Sequence, residues 1–413
     1  MHDQPSLPIE PTAVRPNGAR QFYLDWLRIL AFGLLVVYHV GMYYVTWDWH
    51  IKSPAMNTGP EPWMRLLSPW RMDLLFLVSG AGTAFLLSRR GATGVMVRER
   101  AARLLWPLLF GVLVVVPPQS YLEVLRRFDF VGSYLDFLGI YLQPWRHWQQ
   151  FCAPSGGCLI LPTWNHLWYL PYLFCYTVLL WGALRRWPRL LDRASAVLTE
   201  VLASWGLLVW PVVLLAVTRY TLSGQFPVTH ALADDWFAHA QYLPMFLFGA
   251  VLARATSLAA AVQARRWMAL ALAIGAGALM AWTRAGVGSV PAWLGVLVFS
   301  LMQWCALLAA LGFARQHLNA DNAARRYLTE AVFPLYILHQ TLIILQAHWL
   351  RPTALTPGLE APILVLGTFA ISLLVFEALR RLTWVGCLRP FMGLKRHGPG
   401  QTQRGRPPGQ MAS

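Results

Sequence analysis

Long apolar runs are the feature that most restricts what this chain can fold into. They recur from residue 24 to residue 384 and are interrupted only by short polar or basic stretches. Strands of an outer-membrane barrel alternate polar and apolar residues and do not stay apolar for 20 positions. Only 13% of the 413 residues are charged, whereas a soluble domain carries about 25%. The pattern excludes a soluble domain and a disordered chain, and it predicts an all-α polytopic integral membrane protein.

The lengths of the apolar runs predict the number of spans. A helix needs about 20 residues to cross roughly 30 Å of hydrocarbon, and ten segments are long enough. The segment 133–148 is shorter and interrupted, which predicts a re-entrant or interfacial piece. The ten predicted spans are approximately 24–46, 70–88, 104–120, 166–184, 202–221, 239–254, 267–284, 291–313, 328–349 and 362–380.

The basic residues predict the orientation of these spans. The net charge of +16 does not indicate nucleic-acid binding, because the charges form short clusters between spans and not one soluble basic face. With the N-terminus inside, 24 basic residues lie on inner segments, nine lie on outer segments, and Arg28 lies within the first span. Retention of Arg and Lys on the cytoplasmic side therefore predicts about ten spans with both termini cytoplasmic.

The chain divides into one membrane domain and two tails. Residues 1–21 are rich in proline, and residues 386–413 are basic and rich in glycine and proline, so both predict disordered cytoplasmic tails around a domain at 22–385. The first span is too long for a secretory signal and contains Asp25 and Arg28. No internal repeat typical of transporters is visible.

Ionisable side chains within the first span are candidate functional groups, because charge in a bilayer is costly unless it is paired or solvated. Arg28 and His39 are eleven residues apart, which places them on one helix face about 16 Å apart along the axis. Asp25 lies three residues before Arg28, so the two can pair near the inner surface. His39 falls in the outer third of the membrane. An alternative is that His39 only bonds to a neighbouring helix.

Two residues of the second span and two that precede the third extend this set. Arg71 and Asp73 lie at a depth close to that of His39, and a histidine near a carboxylate and a guanidinium suits acid/base chemistry. Alternatively, Arg71 only reaches the membrane interface. Arg100 and Arg103 share one face on the inner side and could hold phosphates, although topology alone also explains basic residues there.

Three further candidates lie in later spans. His166 opens the fourth predicted span, and Tyr336 and His339 share a face of the ninth. No set of His, Cys and carboxylate residues has the local spacing of metal ligands, so no metal is predicted. The tryptophans on the outer side predict an aromatic belt, and a few of them could stack on a sugar.

The position of two of the five cysteines predicts a disulfide between them. Cys152 and Cys158 flank Ala-Pro-Ser-Gly-Gly in the longest outer loop. An outer loop faces an oxidising compartment, and the glycines permit a tight closure. The spacing does not fit a zinc knuckle.

Five motifs in chain order resemble those of acyltransferase family 3, a family of integral-membrane acyltransferases. The resemblance covers about residues 20–385, and the run 22–54 is most similar to the glucans biosynthesis protein C branch, which is associated with succinylation of periplasmic glucans. Many members carry a small hydroxyl residue where this chain has Val332. The matching positions are Arg28 with His39; Arg71, Phe76, Ser79 and Gly80; Arg100, Arg103 and Pro107; His166 to Leu170; and Tyr336 with His339.

The resemblance implies an O-acyltransferase of the bacterial inner membrane. It would move an acetyl- or succinyl-type group from cytoplasmic acyl-CoA to a hydroxyl of an extracytoplasmic glycan or a related envelope acceptor. The co-substrate would be acyl-CoA, with no tightly bound cofactor and no inferred protein partner. The charges agree, because the inner segments are strongly positive and the outer ones are balanced.

Roles for individual residues follow from the resemblance together with the charges. Arg100 and Arg103, with Arg28, would hold the donor phosphates. His39 would act as general base or be transiently acylated. Asp73 would orient the imidazole of His39, and Arg71 would stabilise the oxyanion or bind an anionic acyl group; the role of His339 is left open. The alternative is a glycan or lipid transporter or flippase that uses the same polar residues as a path.

Overall fold

The computed structural model describes residues 21–143, 151–152, 158–382 and 386–394. Within these ranges the chain is helical and contains no named β-strand. Residues 1–20 of the predicted N-terminal tail lie outside the described residues. The helices are α1 (Phe22–Tyr44), α2 (Glu61–Arg90), α3 (Gly94–Phe110), α4 (Pro117–Arg127), α5 (Tyr134–Tyr141), α6 (Tyr169–Arg186), α7 (Leu190–Val201), α8 (Gly206–Leu222), α9 (Trp236–Leu252), α10 (Thr256–Ala264), α11 (Arg266–Arg284), α12 (Ala292–His317), α13 (Ala323–Leu350) and α14 (Pro357–Arg381).

The helices confirm a multi-pass membrane protein. Seven helices of the described chain, namely α1, α2, α6, α11, α12, α13 and α14, are long and apolar enough to cross a bilayer. Three bent pairs, α3 with α4, α7 with α8, and α9 with α10, raise the number of candidate spans to as many as ten. Each of the ten predicted spans coincides with one of these helices or pairs.

The bends in the three pairs differ in size. Between α3 and α4 the chain turns by 43° through a π-helical segment, Gly111–Val115. Such segments are rare and are often found at functional sites. The α7–α8 and α9–α10 pairs bend by 105° and 109°. In the first of these two pairs, Ser204 adopts a left-handed backbone conformation with φ 49°. The short helices α7 and α10 therefore lie across the ends of the longer ones.

Small residues allow α2 to pack closely on α9. A Cβ atom at Gly80 would overlap the backbone carbonyl of Phe246, and one at Gly249 would overlap that of Leu77. Because apolar side chains gain little from leaving lipid, helices in a bilayer associate through such close backbone contacts. This contact fixes the position of α2, which carries Arg71 and Asp73.

The predicted interfacial piece at 133–148 contains one short helix. Helix α5 has eight residues, far fewer than the roughly 20 needed to cross a bilayer. Its buried side chains, Phe137 and Tyr141, pack in a cluster with Val124 of α4 and with Phe151 and Leu161. The end of the predicted piece, 144–148, lies outside the described residues.

The start of the disordered C-terminal tail was predicted too early in the chain. The chain forms a 3-10 helix at Gly386–Met392, so the prediction of disorder from residue 386 is wrong for this segment. Arg389 is buried, and its Nε donates to the carbonyl oxygen of Leu379 at 2.6 Å. Phe391 packs on Trp106 and Phe110. A buried arginine that satisfies carbonyls at the end of α14 explains the order. Residues 395–413 lie outside the described chain.

Candidate active site

A cavity of about 580 Å³ lies at the His39 end of α1. It is called the outer cavity after the side of the membrane on which the sequence predicts this end. Its volume is within the range of small-molecule sites. Helices α1, α2, α9 and α13 line it, together with the loop after α1, the 3-10 turn Asn165–Trp168 and the loop before α9. The lining side chains that carry the argument below are His39, Trp49, His50, Arg71, His166, Trp168, His230, Tyr242, Tyr336 and Gln340.

Two predicted residues from opposite ends of the chain meet at this cavity. The Nδ1 atom of His39 lies 3.0 Å from the Nε2 atom of His339. The Nδ1 atom of His339 lies 2.6 Å from the carbonyl oxygen of Tyr336, three residues earlier on α13. Trp49 stacks on the His39 ring, with an interplanar angle of 14°.

These contacts assign the protons of the two rings. A carbonyl oxygen only accepts, so the Nδ1–H group of His339 donates to Tyr336. In a neutral imidazole the other nitrogen is then an acceptor, so His339 Nε2 accepts from the Nδ1–H group of His39. The remaining nitrogen, His39 Nε2, carries a lone pair and has no hydrogen-bond partner among the described residues. The pair therefore presents one available base at the cavity, with the second histidine orienting the first.

The other two candidates from the late spans hold this pair in place. The hydroxyl of Tyr336 donates to the carbonyl oxygen of His166 at 2.7 Å. The Nε2 atom of His166 lies 2.9 Å from the carbonyl oxygen of Ile337. His166 is thus bonded to α13 through both its backbone and its ring, one turn before His339.

Arg71 supplies a positive charge beside the histidines. Its guanidinium lies 3.4 Å from the centre of the Tyr38 ring, and the residue is 8% exposed. The Nε and Nη1 atoms have no hydrogen-bond partner in the part of the chain that the structure describes. A buried guanidinium with unused donors is suited to an oxyanion or a carboxylate.

Asp73 does not orient His39, contrary to the prediction from the sequence. Its Oδ2 atom accepts from Gln303 Nε2 at 2.6 Å, and Gln303 Oε1 accepts from Arg219 Nη2 at 3.1 Å. Arg71 and Asp73 are two residues apart on α2, and 3.6 residues make a turn, so they point to different sides of the helix. Asp73 therefore faces α12 and α8. The residue that contacts the His39 ring, a position predicted for Asp73, is His339.

The predicted donor arginines lie at the other end of the bundle. A second cavity, of about 750 Å³, is called the inner cavity after its predicted side of the membrane. It is lined by Arg90, Glu99, Arg100, Arg103 and Trp106, together with Pro390, Gly393 and Leu394.

Arg28 extends this group, because its guanidinium interacts electrostatically with those of Arg100 and Arg103. Asp25 lies 3.9 Å from Arg28, as the helical spacing predicts, and also forms an ion pair with Arg325 of α13.

A column of aromatic side chains separates the two cavities. The Tyr169 hydroxyl bonds to Ser79 and interacts electrostatically with Arg100 and Arg28. Its ring lies 6.1 Å from that of Tyr336, which in turn stacks on His339. The column therefore runs from the arginines to the histidine pair.

A strained loop before α9 forms one wall of the outer cavity. His230 and Leu232 have left-handed backbones, with φ 58° and 71°. Asp235 accepts from the backbone N–H of His230 and from the Tyr172 hydroxyl, which holds the loop in this conformation. The His230 ring stacks on Trp168 at 4.0 Å, and burial lowers the pKa of His230 to about 4. His230 is therefore a neutral wall residue near pH 7.

Sequence reasoning missed several residues that line the outer cavity or lie behind it. It gave no role to His50, Gln119, Glu123, His230 or Gln340. The sequence could have indicated Gln340 and Gln119, because each is an amide in an apolar segment. Gln340 follows the candidate His339, and Gln119 lies at the end of a predicted span. His230 and His50 lie in loops, where helical periodicity gives no signal. The predicted aromatic belt also contributes Trp49, Trp164 and Trp168 to the cavity.

Cys152 and Cys158 are bonded to each other in the structure, and their backbones form an antiparallel bridge. The five residues between them lie outside the described chain. Among the described residues, no group of three or more His, Cys, Asp or Glu side chains is placed to hold a metal ion; the absence of a metal stays a prediction.

A family model described as an acyltransferase domain matches residues 21–377 of the chain. The matched region contains α1 to α13 and most of α14, and with them every candidate site residue. No curated protein and no solved structure matches the chain. The family match decides for group transfer and against the transporter or flippase interpretation.

Proposed function

The chain belongs to this acyltransferase family, acyltransferase family 3, and on that premise we propose that it acylates an extracytoplasmic glycan or related envelope acceptor with an acyl group taken from cytoplasmic acyl-CoA. The observation that carries the proposal is the histidine pair, which leaves the Nε2 lone pair of His39 available at a cavity of about 580 Å³. An acceptor hydroxyl in that cavity would lie beside a base whose ring is already oriented.

The proposed reaction uses His39 as the base. The acceptor hydroxyl gives its proton to His39 Nε2, and its oxygen attacks the thioester carbonyl carbon. The carbonyl electron pair moves to oxygen, and Arg71 stabilises the resulting oxyanion with its unused donors. When the carbonyl reforms, the C–S bond breaks and coenzyme A leaves as the thiolate, which takes up the proton from His39.

The donor is proposed to bind through its phosphates at the inner cavity. Arg100, Arg103 and Arg28 repel one another, and a polyanion would relieve this repulsion. Along α1 the distance from Arg28 to His39 is about 16 Å, so the arm that carries the thioester would pass Tyr169 and Tyr336.

The acyl group is proposed to be of the acetyl or succinyl type. As the alternative to stabilising the oxyanion, the unused donors of Arg71 beside His39 would bind an acyl group that ends in a carboxylate, in line with the resemblance to the glucans biosynthesis protein C branch. The outer cavity also contains the aromatic faces of Trp49 and Trp164, which suit a sugar ring.

The orientation proposed here has ten spans and both termini in the cytoplasm of a bacterium, with the protein in its inner membrane. The support is the arrangement of the basic residues, 24 on inner and nine on outer segments. A reporter that is active only in the periplasm should be silent when fused after Lys395. Activity of that fusion would contradict the orientation and with it the assignment of the inner cavity to the donor.

Reconstituted protein tests the reaction itself. Vesicles of inner-membrane lipids with the protein in one orientation would receive isotopically labelled acetyl-CoA or succinyl-CoA on the side of the arginine cavity and a glucan oligosaccharide on the other. We expect a labelled ester on a glucan hydroxyl, and none with His39→Ala. A glucan that crosses the membrane unmodified would contradict the proposal, and so would transfer that requires both substrates on the same side.

A further inference from the structure

A second set of polar side chains lies behind the histidine pair, and the reaction proposed above does not use most of it. His50 comes from the loop after α1, Gln119 and Glu123 come from α4, and Gln340 follows His339 on α13. Gln119, Glu123 and Gln340 are each less than 5% exposed. Burying so many polar groups is costly unless every donor meets an acceptor.

The members of this set form one continuous chain of contacts. Gln340 Nε2 lies 2.8 Å from His50 Nε2 and 3.1 Å from Gln119 Oε1. Gln119 Nε2 lies 3.4 Å from His166 Nδ1, and His166 Nε2 lies 2.9 Å from the carbonyl oxygen of Ile337. At the other end, His50 Nδ1 contacts Glu123 Oε2, and Glu123 Oε1 also binds Arg127 at 3.0 Å.

Only one arrangement of protons satisfies all of these contacts with neutral rings. The amide nitrogen of Gln340 donates to both of its neighbours, so His50 Nε2 accepts and His50 Nδ1–H donates to Glu123. The Gln119 oxygen accepts, and its amide nitrogen donates to His166 Nδ1. The Nε2–H group of His166 then donates to the Ile337 carbonyl. Because the carboxylate of Glu123 only accepts hydrogen bonds, it fixes the direction of donation at its end of this hydrogen-bond network.

The chain of hydrogen bonds returns to the helical turn that carries His339. It includes Gln340 and ends on the carbonyl of Ile337, both on α13. On the same stretch, the Thr341 hydroxyl donates to the carbonyl oxygen of Val115 in the π-helical segment at 2.8 Å. Residues 336–341 of α13 are therefore bonded to α1, to the loop after it, to the π-helical segment, to α4 and to the 3-10 turn that carries His166, and His339 lies among them.

We propose that Glu123, His50, Gln340 and Gln119 are positioning residues for acyl transfer. They fix the rotation of α13 around His339 and so the direction of the His39 Nε2 lone pair. The inference rests on the proposed role of His39 as base. The network acts through His339, so its loss should lower kcat, whereas loss of a substrate contact should raise KM.

Gln340→Glu is the first test, because it changes hydrogen-bond direction with almost no change in volume. A carboxylate at position 340 accepts and does not donate, so it opposes an acceptor at His50 and at Gln119. We expect kcat to fall about 100-fold, the scale of a small misplacement of a catalytic group, with little change in KM for either substrate. The matched control is Gln346→Glu on the same helix, where the amide bonds Thr368 of α14 outside the cavity; it should keep the wild-type kcat.

A second variant separates positioning from simple stability. In Glu123→Gln combined with Gln340→Glu, the new amide at 123 can donate to His50 Nδ1, and the new carboxylate at 340 can accept from His50 Nε2–H. The direction of both hydrogen bonds of the His50 ring is then reversed, and both bonds can form again. We expect the double variant to be more active than Gln340→Glu alone, whereas independent losses of stability would make it less active.

The tautomer of His50 provides a readout that needs no variant. Nitrogen-15 NMR of the labelled wild-type protein in lipid should show His50 protonated on Nδ1, and the double variant should show it protonated on Nε2. Three results would overturn the proposal: a wild-type His50 protonated on Nε2, an unchanged kcat in Gln340→Glu, or a loss confined to acceptor KM. Each is measured against an active wild type, so it is distinct from failure of the proposed function, in which the wild type itself transfers no acyl group.

Discussion

The two cavities of this protein are built on different physical principles. Around His39, protons and lone pairs are matched one by one, and each contact restricts the orientation of a ring. Around Arg100 and Arg103, positive charges repel one another, and the long side chains can adjust to a partner. The first arrangement is suited to directing one lone pair, and the second to attracting a polyanion of variable shape. Changes at the outer cavity should therefore affect kcat, and changes at the inner cavity should affect donor KM and its dependence on salt.

The largest effect should come from removing the base of the outer cavity. His39→Ala removes the lone pair, and we expect kcat to fall about 10³-fold, within the range for loss of a general base, with membrane insertion retained. Single-turnover transfer from labelled acyl-CoA would measure it. The control is His348→Ala, at the exposed outer end of α13. A well-inserted His39→Ala protein with wild-type turnover would leave the outer cavity without a catalytic role.

A smaller loss should follow when only the orientation of the base is disturbed. His339→Ala leaves His39 without the acceptor for its Nδ1–H group, so the ring can turn or change tautomer. We expect kcat to fall about 100-fold. His339→Gln should recover part of this loss, because an amide oxygen can accept from His39 Nδ1. Equal losses in the two variants would argue against a role for hydrogen-bond direction.

Changes at the inner cavity should have a different kinetic signature. Arg100→Ala and Arg103→Ala should each raise donor KM about tenfold, the effect of roughly one charge-assisted contact, and leave acceptor KM unchanged. The effect should shrink at high salt, where exposed charges are screened. Arg98→Ala removes the same charge from the same helix outside the cavity and should change donor KM little. If the dependence of the rate on donor concentration is unchanged in both variants, these arginines serve only to set the orientation of the spans.

The wall of the outer cavity should show its own dependence on pH. Burial lowers the pKa of His230 to about 4, below the value near 6.5 expected in the unfolded chain. The unfolded state therefore binds more protons between these values, and stability should fall as pH drops from 6.5 towards 4. His230→Gln should weaken this dependence, as measured by thermal unfolding in detergent at pH 7 and pH 5. An identical pH dependence in both proteins would exclude His230 as its source.

The smallest effect is expected at the outer loop. Cys152 and Cys158 are six residues apart, and closing so short a loop stabilises a fold by at most about 2–3 kcal/mol in the chain-entropy account. Replacing both by serine should leave the spans intact and change acceptor KM modestly, with kcat unchanged. Thiol labelling of the unreduced, denatured protein checks the bond directly. Labelling of both cysteines before reduction would show that the bond is absent.

Helical periodicity determined much of the fold and part of the candidate site. The length of the apolar runs identified every candidate span of the described chain, because a bilayer sets a minimum length for a helix. Spacing on one helix placed Arg28 and His39 on one face and Asp25 beside Arg28, as the ion pair of 3.9 Å shows. The short 3-10 helix at Gly386–Met392 escaped the same reasoning, because a glycine- and proline-rich sequence gives no periodic signal.

Only the tertiary structure decided which residues of different helices meet. His39 and His339 are 300 residues apart, and Asp73 and its partner Gln303 are 230 apart. Spacing along a helix shows which side chains share a face but not which helix that face meets, so Asp73 was predicted to orient His39 although it bonds to Gln303. Gly80 and Gly249 contact the facing backbones closely, and this contact fixes the rotation of α2 about its axis. That rotation directs Arg71 to the cavity and Asp73 away from it. The sequence alone identified residues capable of the proposed chemistry, and only the packing of the helices brought His39 and His339 into contact.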